Sequence, residues 1–433
     1  MATICESSAP PTAATPRPLT TSRSSRMRTK RVLASQAFRL LLAILCLAQF
    51  ALASDRWQGT WASAQMIAAP SDLPDLVFHE VTVRQNIRIS CGGNKLRVRI
   101  SNEFGDGLLD IGAATIALTG KASSIRKASE KALKFAGQKR ISIAAGTAVT
   151  SDSLTFAAPA LSRLTITLYI KSAPKQITAH PGSRTTSYLL AGNSVHSAEL
   201  PTAVKIDRWY FLSAVEVSAS HNAGAIAILG DSITDGRGST TNGNDRWPDR
   251  LAERLAADPK TAGIGVLNLG IGGNRLLLDG TGPRALDRLQ RDIFAQSNVR
   301  WLIVLEGVND LGTRPKEKGA ADAGATAADI LSAYQQIIRE AHSHNIRVYG
   351  ATILPFDGAA YATSENVADQ QKINDWMRTS RAYDAVIDFA KLLADPSHPD
   401  RLLPAFDTGD HLHPSAPGYK AMGDAIPLSL FNP

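Results

Sequence analysis

The apolar residues of this chain change their period near Ala225, and that change limits the folds open to it more than any other feature. From Trp57 to about Ile170 they mostly alternate: Val81, Val83, Ile87 and Ile89, then Leu96, Val98 and Ile100, with short runs at Leu154–Phe156 and Leu164–Ile170. Alternation with period two marks strands buried on one face, and the Gly, Ser, Asp and Pro clusters between the runs mark turns. An antiparallel sandwich or jelly-roll-like domain over residues 54–220 follows. Cys91-Gly92-Gly93-Asn94, set between two alternating runs, predicts a hairpin there.

From Ala225 onward the pattern becomes strand, loop, helix, repeated. Unbroken apolar runs at Ala225–Leu229, Val266–Leu269, Trp301–Leu305, Val348–Ile353 and Ala385–Ile387 alternate with amphipathic stretches at Trp247–Ala257, Ala285–Gln296, Ala327–His344 and Glu365–Ser380. A parallel sheet covered by helices on both faces requires this pattern. Residues 221–433 are therefore expected to form an α/β domain. Its reactive groups should lie at the carboxyl ends of the strands.

The net charge of +8 on 433 residues suggests nucleic acid as a partner until its distribution is considered. Residues 1–53 hold seven Lys or Arg against the single acid Glu6, so six of the eight charges sit in the leader. That leader has a basic stretch, a largely apolar run from Leu40 to Leu52 and an A-x-A arrangement at Ala51 and Ala53, the design of a secretory signal cleaved before Ser54. The run is shorter than the ~20 residues a membrane-spanning helix needs. Met27 opens Met-Arg-Thr-Lys-Arg and is the expected translation start. A secreted or periplasmic protein is expected, with no nucleic-acid partner and no stable membrane anchor. Of Cys5, Cys46 and Cys91 only Cys91 would survive cleavage, so the mature chain has no internal disulfide and Cys91 reads as a small buried residue.

Four clusters fall at the predicted strand ends. Gly230-Asp231-Ser232-Ile233-Thr234-Asp235-Gly236 places a serine at a strand-to-loop junction, although Asp, Ser and Thr there also cap turns. Asn268-Leu269-Gly270-Ile271-Gly272-Gly273-Asn274 lacks the third glycine of a dinucleotide loop, because Arg275 stands there, and offers instead a glycine amide to a substrate oxygen. Glu306-Gly307-Val308-Asn309-Asp310 brings a side-chain amide donor. Asp407-Thr408-Gly409-Asp410-His411-Leu412-His413 places a carboxylate three residues before an imidazole, so that one nitrogen is oriented and the other is left as a base. Two His and two Asp in seven residues also admit a metal site, but no H-E-x-x-H or C-x-x-C accompanies them. Trp57, Trp61, Trp209, Trp247 and Tyr361 are candidates for stacking on sugar rings, with burial in the core as the plainer reading.

In chain order these clusters supply a nucleophile, oxyanion donors, an orienting acid and a base. The set resembles the SGNH branch of the GDSL esterase and lipase superfamily, with blocks at Gly230-Asp231-Ser232, Gly273, Gly307-Val308-Asn309-Asp310 and Asp410-His411-Leu412-His413. The resemblance covers about 200 residues and implies a flavodoxin-like three-layer domain. It implies Ser232 as nucleophile, His413 as general base, Asp410 as its orienting acid, and the Ser232 amide, Gly273 amide and Asn309 side chain as oxyanion donors, with no cofactor or metal. Gly273 rather than Gly272 rests only on counting from Asn268. The implied reaction is acyl transfer to water, with O-acetylated carbohydrate as the preferred substrate class. A lipase or lysophospholipase, or a glycan O-acetyltransferase, would use the same groups. Arg275, Asp235 and His411 flank these positions as possible leaving-group contacts, and Arg246 with Asp245 is expected to start the helix at Trp247.

Overall fold

The structure is a computed structural model that describes residues 56–219, 224–314 and 325–432. The predicted leader, with its Met27 start, and the predicted boundary at 220/221 lie outside the described residues. Arg56–Pro433 forms one compact unit.

Its first half is a two-sheet antiparallel sandwich with a small third sheet beside it; its strands include β1 (Trp57–Ala62), β2 (His79–Arg88), β3 (Gly93–Asn102), β4 (Leu109–Leu118), β5 (Arg163–Ser172), β6 (Thr178–His180, in the small sheet), β7 (Ser187–Ala191) and β8 (Leu212–Ser218). One sheet runs β7-β2-β5-β4, with Leu168 opposite Val83 and Leu164 opposite Ile87. The other runs β1-β8-β3. Val81, Val83, Ile87 and Ile89 meet Leu96, Val98 and Ile100 in one apolar core.

The hairpin expected at Cys91–Asn94 does not form. β2 and β3 belong to opposite sheets. The turn carries the chain across the sandwich, so that the apolar faces of the two strands cover each other instead of lying side by side. The crossing is pinned to β1, where Ser90 and Cys91 amides donate to the Thr60 carbonyl at 2.9 Å and its hydroxyl at 3.0 Å. Cys91 is buried, and burial pushes its thiol pKa up.

The second half is a five-stranded parallel sheet of β9 (Ala225–Gly230), β10 (Gly265–Gly270), β11 (Val299–Leu305), β12 (Arg347–Ala351) and β13 (Ala385–Ile387) in the order β10-β9-β11-β12-β13. This is the flavodoxin-like 2-1-3-4-5 order, in which ligands bind beyond the strand ends where the winding reverses. The helices are α1 (Ser232–Asp235), α2 (Trp247–Ala257), α3 (Ala285–Arg288), α4 (Val308–Gly312), α5 (Ala327–Ser343), α6 (Ser364–Thr379), α7 (Phe389–Leu393) and α8 (Ala416–Ala425). The helix expected over 285–296 is α3 followed by a wider π-type turn at Leu289–Phe294. Arg246, not Asp245, is the N-cap of α2. Asp249 accepts from its amide, while Asp245 accepts from the Thr240 amide at 2.9 Å.

β10 is an edge strand of the parallel sheet, and an unpaired edge leaves amides exposed. The sandwich covers it. The Val266 amide donates to Ser90 Oγ at 2.8 Å, the Gly59 amide to the Ser297 carbonyl at 3.1 Å, and Gln58 Nε2 to the Gly263 carbonyl at 2.6 Å. Ala62, Ala64, Met66 and Ala214 pack into the same apolar core as the parallel strands. The close approach requires glycine, since a Cβ on Gly265 would lie 2.0 Å from the Gly59 carbonyl oxygen. Gly265→Ala, which a strand would ordinarily welcome, should destabilise the chain by about 1–3 kcal/mol through overpacking. Urea unfolding of the full chain would detect this as a fall in midpoint at unchanged slope.

Candidate active site

β9 ends at Gly230, where a Cβ would lie 2.2 Å from Thr234 Oγ1, so the chain can turn sharply into α1. Asp231 caps that turn by accepting from the Ile233 amide at 2.8 Å, which leaves Ser232 at the first helical position above the sheet. The Ser232 hydroxyl lies 2.8 Å from His413 Nε2, although 181 residues separate them. His413 Nδ1 lies 2.7 Å from Asp410 Oδ2. The other oxygen of Asp410 accepts from the His413 amide at 2.8 Å, the Leu412 amide at 3.0 Å and Thr408 Oγ1 at 3.0 Å.

These contacts set the protonation pattern. Burial pushes the Asp410 carboxyl up, but the amides of His413 and Leu412 and the imidazole together outweigh it and hold the group well below the usual carboxylate range. As a carboxylate it can only accept, so His413 Nδ1 carries the hydrogen and Nε2 presents its lone pair to the serine hydroxyl. His413 is itself buried. Burial lowers its pKa, Asp410 opposes that, and Arg237 and Arg184 lower it further. The imidazole therefore remains a neutral base at neutral pH.

Ser232, Gly273 and Asn309 line one pocket. Asn309, in α4 after β11, donates from Nδ2 to the Asn274 carbonyl at 2.9 Å and accepts at Oδ1 from the Tyr361 hydroxyl at 3.1 Å. Both bonds fix the amide's orientation and leave its second hydrogen for a ligand. Gly272 and Gly273 differ decisively. The Gly272 amide already donates to Asp235 Oδ2 at 3.2 Å, whereas the Gly273 amide has no acceptor among the described residues. Gly273 adopts φ +77°, a left-handed conformation that suits glycine.

Beneath the donors lies a buried polar core. Arg288 donates to Asn274 Oδ1 at 2.9 Å, the Leu269 carbonyl at 2.7 Å, the Gly230 carbonyl at 3.1 Å and Asp292 at 3.1 Å. Glu306 lies 3.5 Å from it. Burial pushes Glu306 well above the usual range. It also pushes Asp231 to about 7, against the Ile233 amide and with Asp310 and Asp235 adding to the rise. Asp310 is pushed to about 6 although the Leu276 and Leu277 amides donate to it.

The pocket over Ser232 is open, about 830 Å³, and is walled from both halves of the chain. The α/β half supplies Ser232, Gly273, Asn309, Tyr361 and His413; the sandwich half supplies Met66, His180, Gly182, Arg184 and Arg208. His180, at the end of β6, reaches Asp235 Oδ1 at 2.9 Å while its Nδ1 donates to the Ala64 carbonyl at 2.7 Å. Asp235 in turn holds the Gly272 amide. The sandwich thus braces the loop that carries Gly273. Sequence reading did not single out His180, Arg184 or Arg208, which lie in ordinary turns of the β-rich half with no motif to mark them.

Other predicted residues fall elsewhere. Trp61, Trp209 and Trp247 are core residues, and Trp57 lies under Arg97, leaving Tyr361 as the aromatic of that set in the pocket wall. Arg275 bonds Thr313, and His411 pairs with Asp407 at 2.6 Å; neither lines the pocket. Among the described residues no group of three or more His, Cys, Asp or Glu gathers as a metal site.

Residues 228–421 match the GDSL-like lipase/acylhydrolase family. The domain is that of a hydrolase acting on ester or acyl groups. No curated protein matches the chain. Among solved structures it is similar to a lipase/acylhydrolase from Enterococcus faecalis, at 20% identity and a TM-score of 0.37, over 48% of this chain and 95% of that one. It is also similar to a catalytic mutant of an acetylxylan esterase from Geobacillus stearothermophilus, at 18% identity and a TM-score of 0.37, over 49% and 95%.

Because Asp231 is buried and its pKa is raised, its contribution to stability falls as pH rises from its unfolded value toward 7. Asp231→Asn keeps an acceptor for the Ile233 amide without the charge. Its melting temperature relative to the parent should therefore rise by a few °C between pH 5 and pH 8, a shift of about 1–2 kcal/mol. A difference that stays flat across that range in calorimetry would contradict the assignment.

Proposed function

We propose that the protein is an exported serine esterase that removes short acyl groups, acetyl above all, from carbohydrate. The observation that carries this reading is the hydrogen-bonded line Asp410, His413, Ser232, opening on a pocket that Gly273 and Asn309 also line. His413 takes the serine proton as Ser232 attacks the ester carbonyl, and the Ser232 amide, the Gly273 amide and Asn309 receive the developing oxyanion. The imidazolium then gives its proton to the departing alcohol. Water, activated by the same base, hydrolyses the acyl-enzyme. Asp410 remains ionised throughout and steadies the positive imidazole.

The pocket supports a polar substrate. Its walls carry His180, Arg184, Arg208, Asp235, Arg237, Thr281 and Tyr361, with Met66, Pro181, Ile271 and Leu412 as the apolar side chains. The large exposed apolar residues, Ile67, Leu73, Val77, Leu108, Val204 and Leu392, do not line it. A small apolar corner in a polar cleft suits a short acyl group on a hydroxylated alcohol.

Acetate release from acetylated xylan, pectin and chitin fragments, beside p-nitrophenyl acetate, octanoate and palmitate, tests the substrate class. Acetate from at least one glycan and falling rates with chain length are expected; brisk palmitate cleavage with no acetate would overturn it. Ser232→Ala should abolish turnover, whereas Asn309→Ala should lower kcat by ~10²–10³-fold. The acid limb of kcat/KM should bend below the ordinary imidazole value of about 6.5, since His413 holds its free base to lower pH. Export is proposed from the leader alone, and mass spectrometry of the mature protein should find Ser54 at its amino terminus.

A further inference from the structure

Most arginines where the two halves meet are matched to carboxylates. Arg88 pairs with Glu253 at 3.0 Å, Arg208 with Asp72 at 3.0 Å, and Arg246 with Asp249 at 2.7 Å. Arg184 and Arg237 are different. Both line the pocket over Ser232, one from each half of the chain, and neither guanidinium has an acceptor among the described residues. Arg184 Nε is buried with no hydrogen-bond partner. A buried donor of that kind costs stability unless a ligand satisfies it.

The carboxylates that could neutralise the pair are engaged. Asp235 takes His180 and the Gly272 amide, Asp410 takes His413, and Asp407 takes His411. Arg184 is also held in place by its backbone. Its φ of +48° lies in the left-handed region that non-glycine residues seldom occupy, its carbonyl accepts from the Asn242 amide at 2.8 Å, and the Ser183 hydroxyl braces the next residue by donating to the Thr185 carbonyl at 2.8 Å. Strained backbone of this sort, held by surrounding bonds, is characteristic of sites that present a side chain to a ligand. Gly182, two residues before it, is fixed as glycine, since a Cβ there would lie 1.7 Å from Asp235 Oδ2. Both arginines stand near enough to His413 to disfavour its charged form.

Resting on the esterase reading, we propose that Arg184 and Arg237 form an anion-binding subsite, so that the preferred substrate is an ester whose alcohol half carries a negative group, as in an acetylated acidic sugar bearing a carboxylate. Guanidinium groups bind carboxylate and phosphate through paired N–H donors, and in a partly enclosed pocket that attraction is screened less than on open surface. Neutral acetylated sugars would occupy the same pocket while leaving the Arg184 donor unsatisfied. The attraction also steers anionic glycan toward the serine, so the preference is salt-sensitive.

The test uses the full chain and four aryl acetates of one shape: phenyl acetate, 4-acetoxybenzoate, 4-acetoxyphenyl phosphate and the 4-trimethylammonium analogue. Each kcat/KM is divided by that ester's own alkaline hydrolysis rate. The expected result is at least a 10-fold preference for the carboxylate ester over the neutral one, a cationic ester below neutral, and a preference that shrinks as NaCl rises from 20 to 500 mM. Whether carboxylate or phosphate ranks higher identifies the natural anion; phosphate alone being preferred overturns the acidic-sugar assignment. Arg237 is exposed, so Arg237→Gln should fold and reduce the anionic-to-neutral ratio by 5-fold or more, with Arg184→Gln reducing it further and Arg184→Lys restoring part of it. Equal rates for all four esters, or an unchanged ratio in Arg237→Gln with an intact thermal transition, would overturn the subsite while leaving the esterase reading standing. No cleavage of any ester by the parent chain would instead remove the esterase reading itself.

Discussion

One buried guanidinium holds the carboxyl end of the parallel sheet together. Arg288 is almost wholly enclosed, and its donors reach the Gly230 and Leu269 carbonyls, which end adjacent strands, together with the Asn274 side chain on the donor loop. Carbonyls at strand ends need donors in a dry interior, and Arg288 donates to both of these, joining the Ile271 amide, which donates to the Gly230 carbonyl at 3.0 Å. A single cation satisfying two of them fixes β9 and β10 relative to each other. Ser232 follows β9 and Gly273 follows β10, so their separation is set from below. Asn274 then passes the constraint upward, because its carbonyl accepts from Asn309.

A charge this deep is tolerable only when it is compensated, and Asp292 does so. Asp292 pairs with Arg288 directly, while burial raises Asp231, Glu306 and Asp310, with repulsion from neighbouring carboxyls adding to the rise at Asp231 and Glu306. Two of these carboxyls also have structural tasks. Asp231 caps the turn before Ser232, and Asp310 receives the amides of Leu276 and Leu277, holding the far side of the glycine loop. The polar core therefore sets positions, leaving the proposed acyl chemistry to groups above it. The sandwich adds a second brace from outside, running from the Ala64 carbonyl through His180 and Asp235 to the Gly272 amide. It is part of the site's wall as well as the cover of the sheet's open edge.

Much of the α/β half was legible in the sequence because its signals are local. Unbroken apolar runs gave strands within one or two residues of those observed, Trp247–Ala257 is a helix end to end, and glycine before Ser232 marked the turn at the end of β9. The failures came where local pattern is compatible with two global arrangements. Cys91-Gly92-Gly93-Asn94 suits a hairpin and a sheet-to-sheet crossing equally well, and only the burial of both strands' apolar faces against each other selects the crossing. Likewise nothing near Arg246 indicates that Asp249, rather than Asp245, would satisfy the start of α2.

What the sequence alone determined is the order of elements, the α/β class and the identity of the chemically capable residues, since strand and helix periods, turn glycines and reactive side chains are properties of short segments. Tertiary structure decided the rest. It separated Gly273 from Gly272 by committing one amide to Asp235, joined Ser232 to His413 across the sheet, and brought Arg184 and His180 from a distant sandwich to the pocket wall. Those outcomes depend on which surfaces must be buried against each other and which polar groups are thereby denied water, and no stretch of sequence a few residues long contains that information.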